Sequence, residues 1–437
     1  MNVVIFFMMR TVHLLIVLFA IGPETTALLL LANLGPPVRP TTVSAPMPPP
    51  PSTEHDDASF EAWIEVEFSS AQGLYPEVFA DAKLAVVNWR KRYREQSPRL
   101  WKSLMRADKI VKELSEAAPV IDAVRSVVAE TPLPEGQKFT IIDLCSGKGF
   151  LSMFLSEMLD PSRVERCFLV DKSWPPHNMD GPIGRHHISD EHIYGERASA
   201  PEEGADFGGA IGGERAGQSL PSYFERWPVP LHTSKQNLKN KATVRSLSKH
   251  LFGRCSGPVL ILAVHLCGTL SLRAVDLFNN HPEAKLLVLK PCCLPGMVHA
   301  KRNETFEIGA HAFDAKDVCA SGRFTAKGEW RGPPRHHLRA RFNKWTEHLC
   351  KGIDLGATAG QEPRTRGSAG AKAVHRVEVQ TKGGYQNLFC IAERHSPTVA
   401  NGLAGDEEQE AKTDGLSASL WKRISEAEMR PQGVAEI

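Results

Sequence analysis

Residues Ile141 to Ser152 read IIDLCSGKGFLS, and this string constrains the fold more than any other stretch of the chain. Apolar residues run up to Asp143. A small turn follows, Cys145-Ser146-Gly147-Lys148-Gly149, and then Phe150 to Leu155 opens a helix with an apolar face. A strand, a tight glycine turn and a helix N-terminus place backbone N–H groups around a nucleotide-like ligand. Glycine lets the backbone approach closely, because no Cβ blocks it and positive φ is allowed. The acid at the strand end suits a ligand carrying positive charge, which favours S-adenosylmethionine over a pyrophosphate.

A second string supports the same outline. Cys167-Phe168-Leu169-Val170 is a short apolar strand ending in Asp171, 22 residues after Gly149. An acid there is where a doubly wound sheet hydrogen-bonds a ribose diol. A dinucleotide site fits this outline too, although Cys145 stands where the first Gly of G-x-G-x-x-G would be. Glycine-rich turns that serve packing alone remain the plain alternative for the first string taken by itself.

Around these strings the chain alternates strand and helix. Strands are expected at 139–143, 166–171, 228–232, 258–265 and 285–290, with helices at 150–159, 236–252 and 269–280. That order implies a mainly parallel sheet covered on both faces. Residues Val374–Gln380 and Gln386–Ala392, joined through Lys382-Gly383-Gly384, read as a closing β-hairpin. Residues 59–135 read as a helical extension, with helices over Phe79–Glu95 and Leu100–Ala117 separated by Pro98. The sheet domain spans 136–395, with surface insertions at 196–219 and 354–372, and the tail 396–437 reads as polar and mobile apart from a helix over Ala418–Met429.

The N-terminus stands apart. Residues 1–34 form an apolar leader whose core, Leu14–Ile21, has the length of a signal peptide rather than a span. Residues 35–58 are a Pro-rich linker. Nine cysteines, an odd number, several inside apolar runs, point to reduced and mostly buried thiols. Secretion conflicts with that, so the leader reads as organelle-directed, with an anchor, or a misassigned start in a cytoplasmic protein, left open. Membrane contact is expected only through this leader.

Three further strings carry a resemblance. Val264-His265-Leu266-Cys267-Gly268, Lys290-Pro291-Cys292-Cys293 and DLCSGKGFLS together resemble a eukaryotic class I methyltransferase-domain family, related to acceptor-stem tRNA 2′-O-methyltransferases and methyltransferase-like proteins. The resemblance covers about residues 75 to 395. It implies an α/β, Rossmann-like class I methyltransferase fold: a mainly parallel seven-stranded sheet closed by an antiparallel hairpin, with a helical N-terminal extension. It implies S-adenosyl-L-methionine as cofactor. Carried over by position, Asp143, Cys145, Ser146, Gly147 and Gly149 hold the donor, and Asp171 holds its ribose. His265, Cys267 and Lys290 stand as the catalytic candidates where the fourth and fifth strands meet the transferring methyl. His265 has two readings, a general base or a histidine that orients its loop.

Cys145, His265, Cys267, Cys292 and Cys293 could gather near one crevice. A zinc centre is the lesser reading, because H-x-C and C-C lack the usual C-x₂₋₄-C spacing, and no metal is expected. His186, His187 and His192 read as a solvated loop, with a lid or an acceptor contact as the alternative.

Net charge is only +2, so no global field draws the chain to nucleic acid. Basic character is local. Between Lys83 and Lys112 ten cations face only Glu95 and Asp108, with Trp89, Tyr93 and Trp101 interleaved. A second cluster runs from Arg331 to Lys344 beside Trp330, Phe342 and Trp345. Arginine with exposed aromatics can track phosphates and stack bases. RNA, tRNA included, is therefore the favoured acceptor. A protein substrate, or a non-catalytic donor-binding scaffold for RNA or assembly, is the alternative.

Overall fold

Side chains along the central strands alternate between two cores, and this alternation organises the molecule. Ile141, Cys167, Leu169, Leu260, Leu262, Leu286 and Val288 belong to one apolar cluster. Their chain neighbours Ile142, Val170, Ile261, Ala263, Leu287 and Leu289 belong to another. A strand buried on both faces shows this period of two with apolar residues at every position. The computed structural model describes residues 57–96, 101, 104, 109–176, 186–195, 227–324, 330–333, 335–356, 370–377, 387–395 and 416–429. The leader, nearly all of the linker and the 196–219 insertion lie outside them.

The sheet is built from β1 (Phe139–Leu144), β2 (Val164–Asp171), β3 (Leu231–Lys235), β4 (Val259–Cys267) and β5 (Ala284–Cys293). A small antiparallel pair, β6 (Thr305–Ile308) and β7 (His311–Asp314), and two two-residue strands, β8 (Arg323–Phe324) and β9 (Trp330–Arg331), follow outside it. Strands β10 (Gly370–Arg376) and β11 (Leu388–Arg394) then close it. The order is β10-β11-β5-β4-β1-β2-β3. Pairings among β1 to β5 are parallel, and β11 runs antiparallel to both β5 and β10. The protein is thus α/β, with a mostly parallel, mixed seven-stranded sheet. The strand order reverses beside β1, so a crevice opens at the carboxyl ends of β1 and β4.

One face carries helices α1 (Asp57–Ala71), α2 (Pro76–Gln96), α3 (Lys109–Glu130) and α4 (Phe150–Met158). Beyond α4 come α5 (Glu191–Tyr194) and α6 (Lys241–His250), and then α7 (Leu270–Asn280), α8 (Met297–Lys301), α9 (Ala315–Val318), α10 (Arg335–Lys351) and α11 (Ala418–Met429). Residues of α7 and α10 line the opposite core. Among the described residues no helix is long and apolar enough to cross a membrane.

Several expectations shift. The helix expected at 100–117 is borne out at Trp101, Leu104 and 109–117, the rest of 100–108 lying outside the described residues; it extends on to Glu130 through the buried Pro119. The strand expected at 228–232 lies at 231–235, and the helix at 236–252 shortens to 241–250. β10 begins at Gly370, so the second insertion ends before 370 rather than at 372. There Gly370 packs its α-carbon against β11: a Cβ would meet the Glu393 carbonyl oxygen at 2.2 Å. The tail is not wholly apart, because α11 packs Leu420 and Ile424 into the core. Ser417 and Trp421 also donate hydrogen bonds to the fully buried Glu393 carboxylate.

Every aromatic of the two basic runs whose side chain is described turns inward. Trp89, Tyr93 and Trp101 are buried, as are Phe342 and Trp345. Arg90 is buried 4.5 Å over the Phe60 ring, and Arg92 pairs with Glu157 at 3.2 Å. These aromatic side chains form core, because helical periodicity places them on the apolar stripe. Arg94, Arg99, Lys102 and Arg106 have no described side chains.

Candidate donor pocket and cysteine cluster

The turn after β1 is held from several sides. Cys145, Gly147 and Gly149 all have left-handed backbone, at φ 57°, 55° and 82°. Cys145 therefore adopts the conformation that glycine would occupy in a dinucleotide turn, at a cost on the order of 1–2 kcal/mol. The Ser146 N–H donates to the Val170 carbonyl at 3.2 Å, and the Trp174 indole donates to Ser146 Oγ at 3.1 Å. A Cβ on Gly149 would meet Leu169 Cδ2 at 2.4 Å, whereas one on Gly147 would meet nothing within 4 Å. Gly149 serves packing and Gly147 serves open space.

That space is a cleft of about 350 Å³ lined by Asp143, Cys145, Ser146, Gly147, Lys148 and Phe150 on one side. Lys109, Lys112, Glu113 and Glu116 from α3 and His265 from β4 line the rest. Asp143 sits at its base, buried, and accepts a 2.9 Å hydrogen bond from Ser152 Oγ. Burial pushes its carboxyl up to about 7, against the Ser152 bond, and the charge of Asp171 adds to the rise. A buried carboxylate near a second one is a place where a cation is stabilising. Asp171 is committed to the turn: its Oδ2 accepts from Gly147 N–H at 3.3 Å and its Oδ1 from Ser173 N–H at 2.8 Å. Each oxygen keeps a lone pair for a hydroxyl.

The ends of β4 and β5 are irregular. Between Ala263 and Leu266 the register advances three residues on β4 against two on β5, from Leu289 to Pro291. Between Leu266 and Cys267 it advances one on β4 against two on β5, from Pro291 to Cys293. Each extra residue is a bulge, which re-aims side chains. The first bulge carries His265 and the second carries Cys292.

His265 is 42% exposed, with Nε2 3.7 Å from Glu116 Oε2. Desolvation at the strand ends and the Lys290 charge hold its imidazole below the ordinary value, outweighing the pull of Glu116. Lys290 is buried and does not line the cleft. Its Nζ lies 3.2 Å from Glu116 Oε2, and burial lowers its ammonium. Glu116 also pairs with Lys112 at 3.1 Å, and its charge is held by Lys290 and Lys112 despite desolvation. Glu116 escaped the sequence reading. The available signal was an acid on an otherwise apolar stripe of α3, among Leu114, Ala117 and Ala118.

Cys267 Sγ lies 3.0 Å from Cys292 Sγ, and Cys292 Sγ lies 3.7 Å from Cys293 Sγ. Hydrogen bonds from Cys292 and Cys293 push the Cys267 thiol down to about 3, and the same bonds push Cys292 up. Cys145 does not join this group; burial pushes its thiol up to about 12. Buried thiols are fewer than expected: Cys167, Cys319 and Cys390 are buried, but Cys267 and Cys293 are exposed.

One histidine of the string expected to be a solvated loop departs from it. His192 is buried on α5, and its Nε2 donates to the Lys148 carbonyl at 2.7 Å, so it props the glycine turn from outside the cleft. Burial lowers its imidazole to about 4, and it stacks on Trp174. His187 meets Lys235 Nζ at 3.1 Å, and His186 is exposed. No protein-family model and no curated protein matches the chain.

Proposed function

We propose that the protein is an S-adenosyl-L-methionine-dependent class I methyltransferase that acts on RNA, with tRNA as the first substrate to try. One observation carries the reading: the cleft at the sheet's reversal point has Asp143 at its base and an open Gly147 backbone at its wall. The donor set suits a compact cationic nucleoside. Asp143 offers a carboxylate to an amino or sulfonium group, the Gly147 wall admits close approach, and Asp171 lies at the second strand's tip for a ribose hydroxyl. The terminal strand, antiparallel to its neighbours, supports the class I fold.

The bound donor supplies a methyl group on a positively charged sulfur, open to in-line attack. The chain's own residues supply placement and proton handling. His265, neutral at pH 7, projects into the cleft and accepts the acceptor's proton at an imidazole nitrogen. Glu116 anchors Lys290 behind it and faces His265, so Lys290 acts as a positioning residue. Because Trp89, Tyr93, Trp101, Phe342 and Trp345 are buried, RNA affinity rests on cations such as Lys109, Lys112 and Lys148 at the mouth. Such contacts are salt-sensitive and read phosphate rather than base.

The test is incubation of the full chain with methyl-labelled donor and separated RNA and protein fractions. Label in RNA supports the reading. Label in protein alone moves the acceptor to a side chain. Donor and RNA binding without any transfer replaces the enzyme with a scaffold.

A further inference from the structure

We infer that Cys267, Cys292 and Cys293 form a binding site for a thiophilic divalent cation, zinc by preference, with one coordination position left open to solvent. The three Sγ atoms come from two neighbouring strands and all lie within 4.8 Å of one another. Three thiolates around a tetrahedral zinc, at about 2.3 Å each, stand roughly 3.8 Å apart. The Cys292–Cys293 separation of 3.7 Å matches that spacing, and the Cys267–Cys292 separation of 3.0 Å needs to open by less than about 1 Å, within reach of a rotamer change.

The adjacency of Cys292 and Cys293 argued against a shared ion, because successive residues of a regular strand point to opposite faces. The bulge at Cys292 removes that objection. It puts an extra residue on β5 opposite Leu266–Cys267, and both sulfurs then turn toward Cys267. The strand ends are held by further bonds. Gly268, at φ 55°, donates its N–H to the Cys293 carbonyl at 3.2 Å, closing the turn that follows Cys267.

Among the described residues no fourth His, Cys, Asp or Glu joins the cluster. Three protein ligands with an open position is the pattern of a reactive zinc centre, not of a closed structural one. Cys267 and Cys293 are exposed, so the open side is reachable by water or by a lone-pair donor on a substrate. Charge balance agrees. Three thiolates and one divalent cation sum to one negative charge, and the Lys239 and Lys290 ammonium groups act electrostatically on Cys267 and Cys292. A disulfide between Cys267 and Cys292 would account for two of the sulfurs and leave the third unexplained.

The inference is independent of the methyltransferase reading, and its test uses neither donor nor acceptor. The full chain is purified under reducing conditions without chelator, and its zinc is measured by mass spectrometry. About one zinc per chain is expected. Replacement of the metal by cobalt should give thiolate-to-cobalt charge-transfer bands and the intense ligand-field bands of a four-coordinate ion. Cys267→Ser and Cys293→Ser should each reduce the zinc content to a trace, while Cys145→Ser keeps it, with circular dichroism reporting the fold of each variant. A thiol-specific mercurial added to the unmutated chain should release the zinc into a chromogenic chelator, which covers the case of a variant that does not fold. Zinc-free protein that gives no cobalt–thiolate bands overturns the site. So does zinc that persists in both serine variants, or a Cys267–Cys292 disulfide in the reduced preparation.

Discussion

Ser152 Oγ donates a 2.9 Å hydrogen bond to Asp143 Oδ2, tying the end of β1 to the first turn of α4. The bond favours the ionised carboxylate, while burial holds the group up near 7. A cationic donor needs the ionised form. Its affinity should therefore fall about tenfold per unit as pH drops below 7. Ser152→Ala removes the opposing bond and should move the midpoint upward by about one unit. Titration calorimetry across pH 5.5 to 8.5, at about half-unit steps, reads both effects.

Stability of the ligand-free chain should move the other way. Asp143 has a folded pKa above its unfolded one, so the folded state holds the proton more tightly. The contribution is complete below about pH 4 and is lost as pH rises to about 7. Urea melts of the native chain and Asp143→Asn should diverge across that window. Parallel curves would contradict the buried, protonatable carboxyl.

The two turn glycines should separate packing from binding. Gly149→Ala places a methyl 2.4 Å from Leu169 Cδ2 at φ 82°, and should destabilise the fold by about 3 kcal/mol or more. Gly147→Ala meets no neighbour and should cost about 1–2 kcal/mol through its backbone alone. Its methyl stands at the cleft, so donor binding should weaken by at least about tenfold. Equal melting temperatures for the two variants would overturn this division.

Glu116 and Lys290 should show strong coupling. Glu116→Gln leaves a buried ammonium unpaired and should cost about 3–5 kcal/mol. Lys290→Met in the same chain should restore much of that loss. A double-mutant cycle in urea that shows additivity would remove Lys290 from the site's support.

His265→Ala should leave donor affinity within about threefold while lowering turnover by about 10² or more. At saturating donor, where the Asp143 titration no longer limits the rate, it should also abolish the acidic limb of the pH–kcat profile. Unchanged turnover would reduce His265 to a loop-orienting residue.

Strand, turn and helix around Asp143 were legible because their signals are local: an apolar run, two glycines and an amphipathic helix within about one dozen residues. The antiparallel closure of the sheet was legible for the same reason. Glu116 was not, because its role depends on α3 crossing the ends of β4 and β5, which no local pattern encodes. The gathering of Cys267, Cys292 and Cys293 was legible from the strand ends, but the common aim of the adjacent pair was hidden by a register shift. Spacing rules assume regular strands, and one extra residue at Cys292 changes which side chains meet. The basic runs misled in the opposite direction, since charge alternating with Trp and Tyr looks the same whether the rings face solvent or core. The tail helix at 418–429 was visible as a helix, but its docking through Glu393 was not.

The central claim is that the Asp143–Gly147 cleft holds S-adenosylmethionine. Isothermal calorimetry of the folded chain at pH 8, about one unit above the Asp143 midpoint, tests it most directly. Saturable heat with the donor and with its demethylated product, lost in Asp143→Asn and weakened in Gly147→Ala, is the predicted result. No heat from either nucleoside, with circular dichroism confirming an intact fold, would contradict the account.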